Sequence, residues 1–86
     1  MNYFMNCRVC GLVQSAAPWG DDGACGSSDI CDCCGTEFGY EDNNVESARA
    51  ARRRWVTSGY QWFAPKLMPM GWSVDRQLAQ IPPEFL

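Results

Sequence analysis

Apolar residues in the first half of the chain come in short stretches, each next to a pair of cysteines. The apolar stretch 3–5 runs into the first pair, Ile30 precedes the second, and residues 36–40 alternate apolar with other side chains. Alternation of this kind is typical of short strands. We therefore predict two short β-hairpins, joined by a loop over 15–28, where glycine, proline, serine and aspartate dominate.

The second half of the chain begins with the periodicity of an amphipathic helix. We predict this helix over about 44–58, opened by a capping box of Asn43 with Glu46 and ended by Gly59. Arg52 lies on the apolar side, where we expect its stem to pack and its guanidinium to reach an acid. The apolar face consists of Val45, Ala48, Ala51, Trp55 and Val56.

The carboxyl-terminal part is rich in aromatic residues and interrupted by proline. Pro65 and Pro69 make the stretch after the helix irregular, and Ser73 is placed to cap a short helix over about 74–80. Of the five aromatic residues Trp55, Tyr60, Trp62, Phe63 and Trp72, we expect about three to be core, with the others available to a partner.

Two matching cysteine motifs carry the strongest chemical signal. They read Cys-x-x-Cys-Gly at 7–11 and again at 31–35, with 20 residues between Cys10 and Cys31. Two such turns can complete a tetrahedron of thiolates around zinc, and the glycine after each turn permits a positive φ. We predict one structural zinc ion held by Cys7, Cys10, Cys31 and Cys34.

Two further cysteines leave an alternative open. Cys33 is a rival to Cys34, and Cys25 can in principle replace either, but the symmetry of the two motifs favours the four-residue set. We expect the two spare thiols to be small buried hydrophobes. Redox sensing is the alternative role.

Together these features predict an α+β fold. It is a small zinc ribbon of two short β-hairpin knuckles over 1–44, with a packed helix and an irregular aromatic-rich segment over 45–86, all in a single domain. A chain of 86 residues buries little core, so the metal would supply much of its folding free energy.

Composition argues against catalysis and against a membrane location. There is no histidine and no recognisable nucleophile motif, and a zinc ion with four sulfur ligands has no position for a small-molecule substrate. Clustered thiols without a leader or a long apolar stretch suggest a cytoplasmic protein, since reducing compartments favour metal binding over disulfides.

Charge is divided unevenly and suggests two classes of partner. Residues 1–44 carry seven acids against one arginine, and residues 45–86 carry three acids against six bases. Our leading hypothesis is a protein partner that contacts the acidic loop at Asp21 and Asp22 and the aromatic pair Trp62 and Phe63. The alternative is nucleic-acid binding by the arginine-rich helix, with Arg49 and Arg53 on its outer face.

The order of motifs resembles a family of small bacterial cysteine-rich proteins with the pattern C-P-x-C-G, a loop, and I-C-P-x-C-G-F-x-F-G-Y-D-D. The family's prolines are replaced by Arg8 and Asp32, and an aromatic residue by Thr36. The resemblance implies a cytoplasmic, zinc-ribbon-like protein without known catalysis, and by analogy an immunity protein that neutralises a basic toxin. The matching positions are 7–11, 30–35, 38–42, 54–55, 59, 62–63, 71–72 and 77–78.

Overall fold

The regular structure of residues 3–86, the part that this computed structural model describes, is helical. Helix α1 spans Val45–Thr57 and helix α2 spans Val74–Leu78. Single turns of 3₁₀ helix occupy Pro65–Leu67 and Pro83–Phe85. None of the helices in the described part of the chain is long and apolar enough to cross a bilayer.

The predicted α+β zinc ribbon with two hairpins is wrong, because residues 3–86 contain no sheet. One isolated antiparallel bridge closes each cysteine turn, between Asn6 and Val13 and between Ile30 and Glu37. At the second turn, pairing ends where Ser28 and Gly39 take positive φ values of 69° and 95°, which no extended strand can accommodate. The apolar alternation therefore reflects single bridges rather than strands.

Helix α1 is present as predicted, although its cap lies one residue later. The side chain of Asn44, rather than Asn43, accepts a hydrogen bond of 2.8 Å from the backbone N–H of Ser47. The helix stops before Gly59, which has φ +88°. The predicted apolar face is buried at Ala48, Ala51 and Trp55, whereas Val45 is half-buried and Val56 is exposed.

The core lies between α1 and the two cysteine turns. Arg52 joins these parts in a way that the sequence did not predict. Its guanidinium donates to the backbone carbonyls of Val9 (2.7 Å), Arg8 (2.9 Å) and Phe85 (2.7 Å), and not to an acid. The buried core residues are Cys7, Val9, Cys10, Cys31, Cys33, Phe38, Ala48, Ala51, Trp55 and Trp62.

The carboxyl-terminal segment wraps over the first cysteine turn. Ser73 caps α2 by accepting from the backbone N–H of Arg76 (3.3 Å), as predicted, but the helix ends at Leu78. The turn and α2 approach so closely at Gly11 that a Cβ there would lie 2.3 Å from the carbonyl oxygen of Gln77. Only glycine fits this contact.

Candidate metal centre

The two cysteine turns, which we call knuckles, have the same backbone hydrogen bonds. In the first, the N–H of Cys7 donates to the carbonyl of Leu12 (2.9 Å), and the N–H of Gly11 donates to the carbonyl of Cys7 (3.0 Å). The second knuckle repeats both bonds at 2.9 and 3.0 Å with Cys31, Thr36 and Gly35. Together with the matching bridges, this makes residues 6–13 and 30–37 two copies of one unit.

Glycine is required at the end of each knuckle. Gly11 has φ +89° and Gly35 has φ +76°, in the left-handed region that a residue with a Cβ enters at a cost of about 1–2 kcal/mol. The prediction of positive φ at both glycines is confirmed. This conformation turns the chain back after the second cysteine, so both sulfurs of a knuckle face the same side.

The knuckles bring four sulfur atoms into one group that can hold a metal ion. The Sγ atoms of Cys7, Cys10, Cys31 and Cys34 all lie within 4.8 Å of one another. The distance is 3.7 Å between Cys7 and Cys34 and 3.6 Å between Cys10 and Cys31. A tetrahedron with metal–sulfur bonds of about 2.3 Å has edges of about 3.8 Å, so these two distances fit zinc. Both are too long for disulfides, whose sulfurs are about 2.05 Å apart.

Hydrogen-bond donors surround the sulfur atoms. The backbone N–H of Val9 donates to Cys7 Sγ (3.4 Å), and the side-chain amide of Gln14 donates to Cys31 Sγ (3.5 Å). The Thr36 hydroxyl lies 3.1 Å from Cys34 Sγ, where it can donate to a thiolate. Such donors orient metal ligands and stabilise their negative charge.

Burial and mutual hydrogen bonds shift the pKa values of three of the four grouped thiols in different directions. Burial raises the pKa of Cys7 and of Cys10 well above the ordinary value. Hydrogen bonds from Cys10 and the other ligand thiols lower the pKa of Cys31. A divalent cation bound to the sulfurs would offset the burial that opposes ionisation of Cys7 and Cys10.

The two remaining cysteines lie outside the group. Cys33 is fully buried, and its sulfur accepts a hydrogen bond from the side chain of Gln77 (3.2 Å), so the prediction of a small buried residue is confirmed there. The same prediction is wrong for Cys25, which is exposed. In the loop over 15–28, the Cys25 backbone N–H donates to the Trp19 carbonyl (3.2 Å), and the Cys25 thiol contacts the carbonyl of the next residue, Gly26 (4.0 Å).

A buried carboxylate fixes that loop, and sequence reasoning did not find it. Asp42 is fully buried and accepts from Trp19 Nε1 (2.9 Å) and from the backbone N–H of Gly39 (2.8 Å). Beside it, the Arg8 guanidinium lies 3.9 Å from the Trp19 ring and 4.3 Å from the Phe85 ring. Burial lowers the pKa of Arg8. No local signal marks Asp42, since its indole partner is 23 residues away.

The predicted partner-binding aromatic residues have different surroundings. Trp62 is buried and packs edge-to-face on Trp72, with ring centroids 5.5 Å apart. Phe63 is 61% exposed. Tyr60 and Trp72 are half-buried against the core, so Phe63 is the member of the aromatic set that the surface presents. The acidic pair Asp21 and Asp22 is also exposed.

Most arginines of α1 are engaged with the protein itself. Arg49 donates to the carbonyl of Leu86 (2.7 Å), Arg52 is bonded as described above, and Arg54 pairs with Glu41 (3.0 Å). Arg53 is exposed, and the described part of the chain provides it with no hydrogen bond or ion pair.

Comparison with known proteins adds no assignment: no protein-family model, curated protein or solved structure matches this chain.

Proposed function

We propose that the chain is a zinc-stabilised, non-catalytic module that binds another protein in a reducing compartment such as the cytoplasm. The donor set supports zinc, because a group of four soft cysteine sulfurs is a typical set of ligands for structural zinc. When bound, zinc supplies folding free energy rather than catalysis, since sulfur fills all four positions.

An exposed apolar segment carries the proposal for protein binding. Exposed apolar residues gathered in one stretch mark contact surfaces more often than single ones do, and methionine adapts to varied partners. The stretch, which we call the 63–70 segment, is held on the second knuckle by a bond from the Phe63 N–H to the Cys33 carbonyl (2.9 Å). Its exposed apolar residues are Phe63, Leu67, Met68 and Met70.

Charge favours a basic partner. Four exposed acids occur between positions 21 and 32, and the Glu41–Arg54 pair is the one salt bridge within residues 3–86. Unpaired acids of this kind speed association with a positively charged protein and disfavour acidic ones. A basic bacterial toxin, with this chain as its immunity protein, fits that chemistry and the motif resemblance. The four acids are Asp21, Asp22, Asp29 and Asp32.

The contacts of α1 weigh against nucleic-acid binding. Three of its four arginines already bond to carbonyls or to Glu41, so binding phosphate would require those bonds to break. Arg53 alone supplies a small fraction of the phosphate contacts that give a duplex binder its affinity.

Two measurements test the proposal. Elemental analysis should give one zinc per chain, and chelation should unfold the protein. The tagged wild-type chain and the tagged Tyr40→Ser variant should then capture the same basic protein from their own cells. The tagged Phe63→Ser variant should not capture it. Tyr40 is the matched control, because it is an aromatic residue exposed to 66% against 61% for Phe63. Zinc content checks that each variant is folded.

The proposal fails if Phe63→Ser and Tyr40→Ser retain the partner equally. It also fails if the purified protein binds nucleic acid with an affinity that falls steeply with salt and is lost in Arg53→Ala.

A further inference from the structure

One of the four grouped cysteines differs from the others in its access to solvent. Cys7, Cys10 and Cys31 are completely buried, whereas Cys34 is half-buried. Cys34 lies at a cleft of about 310 Å³ between the second knuckle and α1, which we call the Cys34 cleft. Thr36, Arg54 and Trp62 are among the residues that line it.

We propose that Cys34 is a site of oxidation by small hydroperoxides, and that reaction there opens the metal site. A zinc-bound cysteine is held as a thiolate, which is the nucleophilic form of the residue. Hydrogen peroxide is small enough for the cleft, and its approach to the other three sulfurs is blocked by protein. The inference rests on the proposed zinc ion but not on a protein partner. Its test is therefore independent of the proposed protein binding.

The chemistry takes two steps and needs no other oxidant. The Cys34 thiolate attacks one peroxide oxygen, the O–O bond breaks, and Cys34 sulfenic acid forms with release of hydroxide. The Cys7 thiolate, 3.7 Å away, then attacks the Cys34 sulfur, forming the disulfide and releasing a second hydroxide. Two thiolates lose one electron each, and the peroxide gains both.

Geometry selects Cys7 as the second thiolate. Its sulfur lies 3.7 Å from that of Cys34, whereas Cys10 is 3.6 Å from Cys31 in the other close pair. Cys33 is adjacent in sequence, but its sulfur bonds to Gln77 in the core. Joining Cys7 to Cys34 leaves the ion with two sulfur ligands, so zinc should leave.

The experiment uses the zinc-loaded Cys25→Ser protein, which removes the exposed thiol outside the group. Hydrogen peroxide is added in substoichiometric steps, released zinc is followed with a coloured chelator, and peptides are mapped by mass spectrometry with a sulfenic-acid trap. We expect one zinc released per peroxide consumed, the trap on Cys34, and a Cys7–Cys34 disulfide in its absence. The trap on another ligand cysteine, or a different disulfide, overturns the proposal.

Two matched variants test the same point through the rate. Thr36→Val removes the hydroxyl 3.1 Å from Cys34 Sγ, and Gln14→Leu removes the amide 3.5 Å from Cys31 Sγ. A hydrogen bond to a thiolate lowers its nucleophilicity, so Thr36→Val should speed zinc release roughly fivefold, about the effect of one bond. Gln14→Leu also removes a donor to a ligand, but to a sulfur that is buried from peroxide, so it should accelerate release less than Thr36→Val does. An equal acceleration in both variants shows that attack is not confined to Cys34.

Discussion

Replacing Arg52 by methionine removes the connection between α1, the first knuckle and the carboxyl-terminal segment. Arg52 donates to three backbone carbonyls at 2.7–2.9 Å, and methionine keeps most of the stem that packs on the core. The variant therefore tests the hydrogen bonds rather than the packing.

The expected loss follows from the number of bonds. Hydrogen bonds from a charged donor contribute about 1.5 kcal/mol each at the low end, so three give between about 4 and 5 kcal/mol. Arg52 is half-buried, and water can rehydrate part of what the variant exposes, so we expect a loss of about 3 kcal/mol in the free energy of unfolding. That loss corresponds to a fall in Tm of roughly 15 °C for a chain of this size.

The assay is urea unfolding at a fixed excess of free zinc, followed by circular dichroism and tryptophan fluorescence. Holding free zinc constant keeps the contribution of metal binding to stability the same in every variant. Arg53→Met is the matched control, since Arg53 is exposed on the same helix, and it should change stability by less than about 0.5 kcal/mol. Arg52→Lys retains the charge but not the planar guanidinium. Its free energy of unfolding should therefore lie between those of Arg52→Met and Arg53→Met.

The reasoning is refuted if Arg52→Met loses less than about 1 kcal/mol relative to Arg53→Met. Such a result would mean that water replaces the guanidinium at all three carbonyls at little cost.

Two further substitutions test the glycine contact and the buried carboxylate. Gly11→Ala should cost about 4 kcal/mol or more, against about 1–2 for Gly59→Ala. Both glycines have nearly the same φ, +89° and +88°, but a Cβ at Gly11 meets a carbonyl of α2 at 2.3 Å and one at Gly59 meets nothing within 4 Å. Equal urea midpoints would contradict this. Asp42→Asn should cost about 2 kcal/mol, because its amide nitrogen must face a donor, whereas the exposed Asp29→Asn should be neutral. An unchanged midpoint and near-ultraviolet spectrum for Asp42→Asn would show that Trp19 does not depend on the carboxylate.

The features that sequence predicted correctly are local ones. Cys7, Cys10, Cys31 and Cys34 were predicted to group because each motif shows two cysteines separated by two residues, which is the spacing of a short turn that binds metal. Helix α1 follows from apolar residues at helical spacing, and its cap differs by one residue only because Asn43 and Asn44 are both good caps.

The features that sequence missed depend on distant partners. Strand pairing is decided by what lies opposite a segment, so the alternation around Ile30 did not show that pairing stops at Ser28. Arg52 was expected to find an acid because acids are visible in a sequence, whereas backbone carbonyls that fold into reach are not. For the same reason, the sequence did not predict that Asp42 would be the buried acid of its polar stretch.

The parts of the chain that pack around the two knuckles give the group of four sulfurs a covered side and an open side. Residues 6–13 and 30–37 are equivalent in their own hydrogen bonds, so a tetrahedron built from them has no preferred direction. The direction comes from what is packed around them: the carboxyl-terminal segment closes over the first copy at Gly11, while Cys34 of the second copy borders a cleft. The four cysteines of two equivalent knuckles therefore have one side covered by the carboxyl-terminal segment and one side that borders a cleft.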